Sequence, residues 1–359
     1  MFFSLPLIAI DIGSSSIKIA ELTGRQNKKK LRTVGVEIIP ATNVADGFIE
    51  DITAVESSLR DVLKKLKIKT RNRRASISLN GSSVIIKKVS FPKQSNPAEL
   101  ADSIFYEAEQ HFQHNIQDLY FDYYQYPVNP QDNEVPILLV GAKKDVVDQH
   151  ISLIKSVGLS IGSVECGILS LANMFEYNYG QIPGLVAIVN VGFHSTQVIL
   201  LGNGQYLYTR DIGIGGMGYT KNIAARMGIG LDVAEQLKIA ASQPEDSSKR
   251  ADVKSSIQEI NDQLVGEIQL TLEYFFQNKE SVSDFNHVDG VYLCGGGALV
   301  LDLDSSLSAN LRTPVSLINP FHKVEIPRNF PMDQLLEQRS LYGTGIGLAL
   351  RALNDAGGP

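Results

Sequence analysis

Cysteine is scarce: Cys166 and Cys294 are the two in 359 residues. Each sits among small or apolar neighbours, which argues against a disulfide-stapled secreted fold and for buried thiols in a reducing compartment. Long apolar runs are missing too, and no stretch approaches the ~20 residues that span a bilayer. The opening MFFSLPLIAI has no basic region before its apolar part and no small-residue cleavage site after it. It reads as mature structure rather than a signal peptide, so the chain is expected in the cytoplasm. Positive charge is not in excess: the net charge is −6, which removes any global drive toward nucleic acid or anionic lipid. Also absent are a His/Cys/Asp set at metal-ligand spacing, a Gly-x-Ser-x-Gly nucleophile elbow and a Walker A loop.

What is present is a turn with unusual chemistry. In LIAIDIGSSSIKIAEL, Leu7 to Leu22, two apolar strands flank Asp11, Gly13, Ser14, Ser15 and Ser16, with Lys18 on the returning strand. A second such unit is LVAIVNVGFHSTQVILL, Leu185 to Leu201. With Asp11 placed over Asn190, Gly13 falls on Gly192, Ser16 on Ser195 and Ile19 on Val198. A strand-turn-strand unit repeated in this way indicates a duplicated fold. Tight turns of small residues let backbone N–H groups approach phosphate oxygens. Four turns qualify: Gly13 to Ser16, Gly192 to Thr196 with His194 and Ser195 between, Gly215-Gly216, and Gly295-Gly296-Gly297. Lys18 is placed to reach a terminal phosphate as a point charge, and Asp11 to hold Mg²⁺ through its water shell.

Between the two units the pattern changes. ASISLNGSSVIIKKVSF predicts a hairpin turning at Asn80-Gly81. An amphipathic helix beginning near Pro97, two strands, a second helix and a short closing strand SIGSVE follow. Arg74 to Val164 is therefore read as an inserted domain. Beyond the second unit come a helix after Gly215-Gly216, the helix LDVAEQLKIAAS, a polar linker QPEDSSKRAD, a long helix from Val253 to Asn278 and the small-residue helix LYGTGIGLALRAL. Asp232-x-x-Glu235 has the spacing of a capping box.

The ordered set resembles the actin and DnaK-type ATPase superfamily. AIDIGSSSIKIAEL and IVNVGFHSTQVIL look like its two phosphate motifs, GGGALV like its adenosine motif and YGTGIGLAL like its second connecting motif. The insert is similar to that of the FtsA and PilM group, and YTRDIGIGGMGYTKNIAARMGIGLDVAEQLK most resembles the PilM branch. The resemblance implies an α/β actin-like two-lobed fold with duplicated ribonuclease-H-like subdomains and an inserted α+β, SHS2-like subdomain 1C. It implies subdomain 1A at 1–73 and 165–184, 1C at 74–164, 2A at 185–222 and 285–334, 2B at 223–284, and a C-terminal helix at 335–359 returning to 1A. It implies ATP or ADP with Mg²⁺ in the interlobe cleft, Glu235 and Lys238 at the ribose, and Gly296 and Gly297 at the adenine.

The implied role is type IV pilus assembly: the chain recruits the N-terminal peptide of a PilN-type inner-membrane protein, and so lies peripheral to that membrane. Motor ATPases, the platform protein and self-association follow as indirect partners. The groove is expected where the insert meets the first lobe, with Val84, Ile85, Ile86 and Val89 either as one wall or as the insert's own core. The end LRALNDAGGP has no amphipathic membrane helix of the FtsA kind. Asn190 stands where the superfamily usually has Asp, so at most slow ATP hydrolysis is expected. Two alternatives are an FtsA-like filament adaptor and a small-molecule kinase, for which Asp211 is the candidate base.

Overall fold

A computed structural model describes residues 7–25, 28–94, 96–112, 114–129, 131–242, 250–277 and 285–357. The N-terminal segment before Leu7, the tip of the second turn at 26–27, the polar linker at 243–249 and the last two residues lie outside them.

The chain opens as a meander of β1 (Leu7–Ile12), β2 (Ser16–Arg25) and β3 (Lys28–Ile38). A short hairpin, β4 (Val44–Ala45) and β5 (Phe48–Ile49), leads into α1 (Ile52–Lys65). The Asp51 side chain caps α1 by accepting from Ala54 N at 2.9 Å, and Val55, Leu59, Val62 and Leu63 form its buried stripe. β6 (Arg74–Leu79) then lies parallel to β1. β1 is buried on both faces: Ile8, Ile10 and Ile12 pack with α1, while Ala9 faces the other side. Each of the three isoleucines contributes roughly 1.5–3 kcal/mol.

β7 (Val84–Pro92), α2 (Pro97–Phe112), β8 (Leu119–Gln125) and β9 (Glu134–Lys143) build a separate three-stranded sheet in the order β7-β9-β8. α3 (Lys144–Ser156) and β10 (Ser160–Cys166) return to the first sheet. The Asn80-Gly81 hairpin therefore does not form. Both edges of β6 are taken, by β1 and β10, so β7 finds its partner in β9. The separate sheet spans Val84 to Lys143, narrower than the expected insert, because β6, α3 and β10 all serve the first lobe.

α4 (Gly167–Tyr179) carries the chain to the second sheet, built from β11 (Leu185–Val191), β12 (Thr196–Gly202) and β13 (Gln205–Ile212). Helices α5 (Gly216–Met227), α6 (Leu231–Ala241) and α7 (Arg250–Gln277) follow, then β14 (Gly290–Cys294), α8 (Leu303–Leu311) and β15 (Val315–Leu317). β16 (Val324–Glu325) rejoins the first sheet beside β3. α9 (Met332–Glu337) and α10 (Gly343–Gly357) close the chain.

The first sheet runs β10-β6-β1-β2-β3-β16 and the second β13-β12-β11-β14-β15. Read from β1 and from β11, the five-strand cores have one order, which is the duplication seen in the sequence. One apolar core spans both lobes: Ala9 and Leu22 of the first, Ile188 and Ile199 of the second, Leu171 and Met174 of α4, and Ile346 and Leu350 of α10. α10 crosses α4 with almost no space between them. A Cβ on Gly347 would lie 1.8 Å from the Ser170 carbonyl oxygen, so only glycine permits this approach. Where the chain recrosses between lobes, buried Asn178 at the end of α4 donates to Pro320 O at 2.9 Å and accepts from Lys323 N at 2.9 Å.

Candidate functional site: a cleft between two matched turns

A cleft of about 1050 Å³ lies between the lobes. The two repeated turns face it and are built alike. Gly13 N donates to Ser16 O at 3.0 Å, and Gly192 N donates to Ser195 O at 2.9 Å. The N–H groups of Ser14, Ser15, Phe193 and His194 donate to nothing among the described residues, which leaves free donors at both turns.

One strand residue below each turn the chemistry differs. In the first lobe, Asp11 and Lys18 are cross-strand partners with Oδ2 and Nζ 3.3 Å apart, both largely buried. Asp11 Oδ1 also accepts from Ser78 Oγ at 2.6 Å and Asn80 Nδ2 at 3.3 Å. In the second lobe the register equivalents are Asn190 and Gln197, and Asn190 Nδ2 donates to Gln197 Oε1 at 3.2 Å. An ion pair in one lobe is thus a neutral amide pair in the other. Lys18 lines the cleft with its ammonium held by Asp11.

The cleft brings together Asp11, Gly13, Ser14, Ser15, Ser16, Lys18, Asn190, Gly192, His194, Ser195, Gly216, Glu235, Lys238, Gly295, Gly296 and Gly297. Thr196 and Gly215 do not line it. Thr196 is fully buried and donates to Ile214 O at 2.7 Å. Gly215 backs against the second turn, where a Cβ would meet the His194 carbonyl carbon at 2.7 Å. The Gly216 amide is already used, donating to Gly192 O at 2.9 Å. These two glycines therefore dock α5 onto the turn instead of offering a fourth cradle. Gly295 has φ +86, and a Cβ there would meet Val191 O at 2.3 Å; the triple-glycine turn thus lies directly on the end of β11.

Glu235 and Lys238 face one another on α6 at 2.7 Å. Lys238 Nζ also donates to Gly216 O at 3.0 Å, and Thr220 bonds both side chains. Burial lowers the Lys238 pKa, and the bond to Glu235 opposes that shift. The helix is capped at Gly230, so Asp232 lies inside its first turn and the expected capping box does not form.

Sequence reasoning missed part of the wall. The Asp46-Gly47 tip of the β4–β5 hairpin and the Asn80-Gly81 bend both line the cleft, and Asp46 Oδ1 accepts from Ser82 N at 2.9 Å. Asp-Gly between apolar residues is a two-residue hairpin signal, so this tip was findable. Gln197 was findable too, since the repeat alignment places it under Lys18. Leu299 and Thr344 lie within the quoted GGGALV and YGTGIGLAL stretches without having been singled out, and Ser340 carried no signal. Asp211 does not line the cleft. It is paired in register with Gln197 on β13, and burial raises its carboxyl pKa. Burial also pushes the Cys166 thiol up to about 11 and the Cys294 thiol higher.

The expected groove wall divides between three cores. Ile85 and Val89 pack on the core of the three-stranded sheet, Val84 on Leu79 and Val146, and Ile86 on the interlobe core. Among the described residues the outer edge of β7 is unpaired, and it faces β13, the edge strand of the second sheet, across a groove of about 810 Å³.

Two sheets of one strand order, with matched glycine–serine turns meeting at a shared cleft, define a protein of the actin-like class. Within that class the chain belongs to the family of type IV pilus assembly protein PilM, whose profile matches residues 9–353. Among solved structures it is similar to the PilM-PilN type IV pilus biogenesis complex (TM-score 0.84, 21% identity, 98% of this chain and 99% of that one). It is more distantly similar to ethanolamine utilization protein EutJ from Carboxydothermus hydrogenoformans (0.54, 14%, 96% and 88%). Similarity at the same level extends to an MreB of Spiroplasma citri bound to AMPPNP (0.53, 12%, 97% and 96%). The cell division protein FtsA of Bacillus subtilis is 23% identical over 257 residues, 64% of this chain and 57% of that protein. FtsA of Staphylococcus epidermidis is 24% identical over 358 residues, 87% and 74%. The chain thus spans little more than half the length of the first of these relatives. Among the described residues no helix is long and apolar enough to cross a membrane.

Proposed function

We propose that this pilus-assembly protein holds ATP or ADP with magnesium in the interlobe cleft and recruits a PilN-type N-terminal peptide. The nucleotide reading rests on one observation: two turns with free N–H donors face each other across the cleft, with Lys18 and the triple glycine beside them. The residues fit a magnesium nucleotide. Among the described residues no three-ligand metal cluster exists; Asp11, Asp46, Glu235 and Glu337 are the carboxylates of the cleft wall, and Asp11 is the one on a strand directly beneath a matched turn. This suits an ion that keeps most of its waters and the phosphates as ligands. When bound, magnesium would neutralise phosphate charge. Asp11 would order its water shell, Lys18 would swing from Asp11 to the terminal phosphate, and Glu235 and Lys238 would meet the ribose.

Calorimetry with ATP and magnesium tests this. Lys18→Ala should weaken triphosphate binding by about 1.5–3 kcal/mol, the range for a hydrogen bond to a charged group, and wild-type protein without nucleotide affinity would end the reading.

The peptide reading is supported by the family and by the free edge of β7, since an extended peptide binds well to an unpaired strand edge. This would hold the protein in the cytoplasm, beside the membrane that carries the PilN-type partner. Titration with the N-terminal peptide should show saturable binding that Ser90→Pro, on that edge, removes. Equal binding by the variant places the groove elsewhere.

A further inference from the structure

The net charge of −6 conceals one strongly basic end. Between Arg60 and Arg74 there are eight Lys and Arg against one Asp. Three are partnered: Arg60 with Glu56, Lys65 with Glu37, and Arg73 with Glu21. Lys64, Lys67, Lys69 and Arg71 are exposed and form no ion pair with the described residues. They occupy the end of α1 and the loop into β6.

Topology gathers more charge there. β1, β6 and β10 start side by side, with Leu7 opposite Arg74 and Arg74 opposite Ser160. The β2–β3 turn closes at the same end, with Gly24 opposite Lys29, which brings exposed Lys28 and Lys30 to it; Lys30 pairs with Glu325. The end of α3 joins through Arg60, which donates to Ser156 O, and adds exposed Lys155. The cleft lies at the opposite ends of these strands, about 20 Å away at ~3.3 Å per residue.

We propose that this end is an electrostatic docking surface for an anionic lipid membrane. The charges are mostly lysines, compact point charges on flexible stems, spread over loops at one broad end. That suits a diffuse array of headgroups, and four to eight such residues are enough to bind one. Nucleic acid is disfavoured. No large aromatic is exposed between Phe48 and Phe105 to stack on bases. The surface adds a weak second contact to a partner-borne anchor and orients the cleft away from the bilayer.

The test is cosedimentation of the full chain with phosphatidylglycerol-containing vesicles and with pure phosphatidylcholine vesicles, at low and high salt, with and without duplex DNA as competitor. Binding is expected to the anionic vesicles at low salt and to be lost at high salt. Each basic contact multiplies partitioning roughly fivefold. The combined variant Lys64→Glu, Lys67→Glu, Lys69→Glu, Arg71→Glu should therefore bind at least about a hundredfold more weakly. Should that variant misfold, the loop variant Lys67→Gln, Lys69→Gln, Arg71→Gln should still lose at least about tenfold. The proposal falls if wild type ignores anionic vesicles, binds neutral ones equally, or prefers duplex DNA, or if the folded variants bind as wild type does.

Discussion

The crossing of α10 over α4 yields a prediction with its control built in. Gly345 and Gly347 lie two residues apart on one helix. A Cβ on Gly345 would rest 3.7 Å from the Ala20 Cβ, an ordinary contact, whereas on Gly347 it would lie 1.8 Å from Ser170 O and 2.5 Å from Ser170 C. The obstacle at Gly347 is backbone inside a packed helix, which cannot rotate aside as a side chain would. The helices must separate, and Leu171, Met174, Ile346 and Leu350 lose contact with them. Overpacking of this kind costs about 1–3 kcal/mol, and a blocked backbone puts Gly347→Ala near the top of that range. Replacing a helical glycine by alanine returns roughly 1 kcal/mol at either position. The net expectation is a loss of about 2 kcal/mol for Gly347→Ala and a gain of about 0.5–1 kcal/mol for Gly345→Ala. At ~1–2 °C per kcal/mol for a chain of this length, the two variants should melt a few degrees apart, on opposite sides of wild type. Differential scanning fluorimetry without nucleotide is sufficient. Two variants shifting the same way, or a harmless Gly347→Ala, would refute the packing argument.

Other outcomes are equally concrete. Asn178→Ala removes the side chain that satisfies Pro320 O and Lys323 N, and should cost about 2–4 kcal/mol because polar backbone is left unpaired; urea titration reads it directly. Asn190→Asp restores a carboxylate beneath the second turn and should raise a slow ATP turnover, since a correctly placed carboxylate or base contributes typically 10²–10⁴-fold. A phosphate-release assay giving brisk wild-type turnover, unaffected by Asp11→Ala, would contradict the account of both residues.

The sequence disclosed the repeat because the repeat is local: each unit is one hairpin, and its turn carries the chemistry. It did not disclose which strands pair over long distances. β6 looked like half of a hairpin because Asn80-Gly81 is a strong turn signal, but the bend only redirects the chain into the other sheet. β10 looked like part of the insert because nothing within SIGSVE says that its partner is β6, more than eighty residues back. Gly13, Gly192 and Gly295 were legible as glycines of the cleft wall, their own amides being spent on Ser16 O, Ser195 O and Ser340 O. Gly216 was legible too, but its amide is committed to the second turn, a fact fixed only when α5 docks. The Asp46-Gly47 tip was written plainly and overlooked between two longer elements.

The core shared by the two lobes has a consequence for the duplication itself. Two repeats of one design suggest halves that might be separated, but neither owns its inner face. A chain cut after α4 would leave Ala9, Leu22, Leu171 and Met174 without Ile188, Ile199, Ile346 and Leu350 opposite them. Each fragment would present a broad apolar surface to water and would associate or precipitate before it could act. The ancestry is modular, but the present molecule is indivisible, and its two lobes should be inherited, expressed and unfolded as one piece.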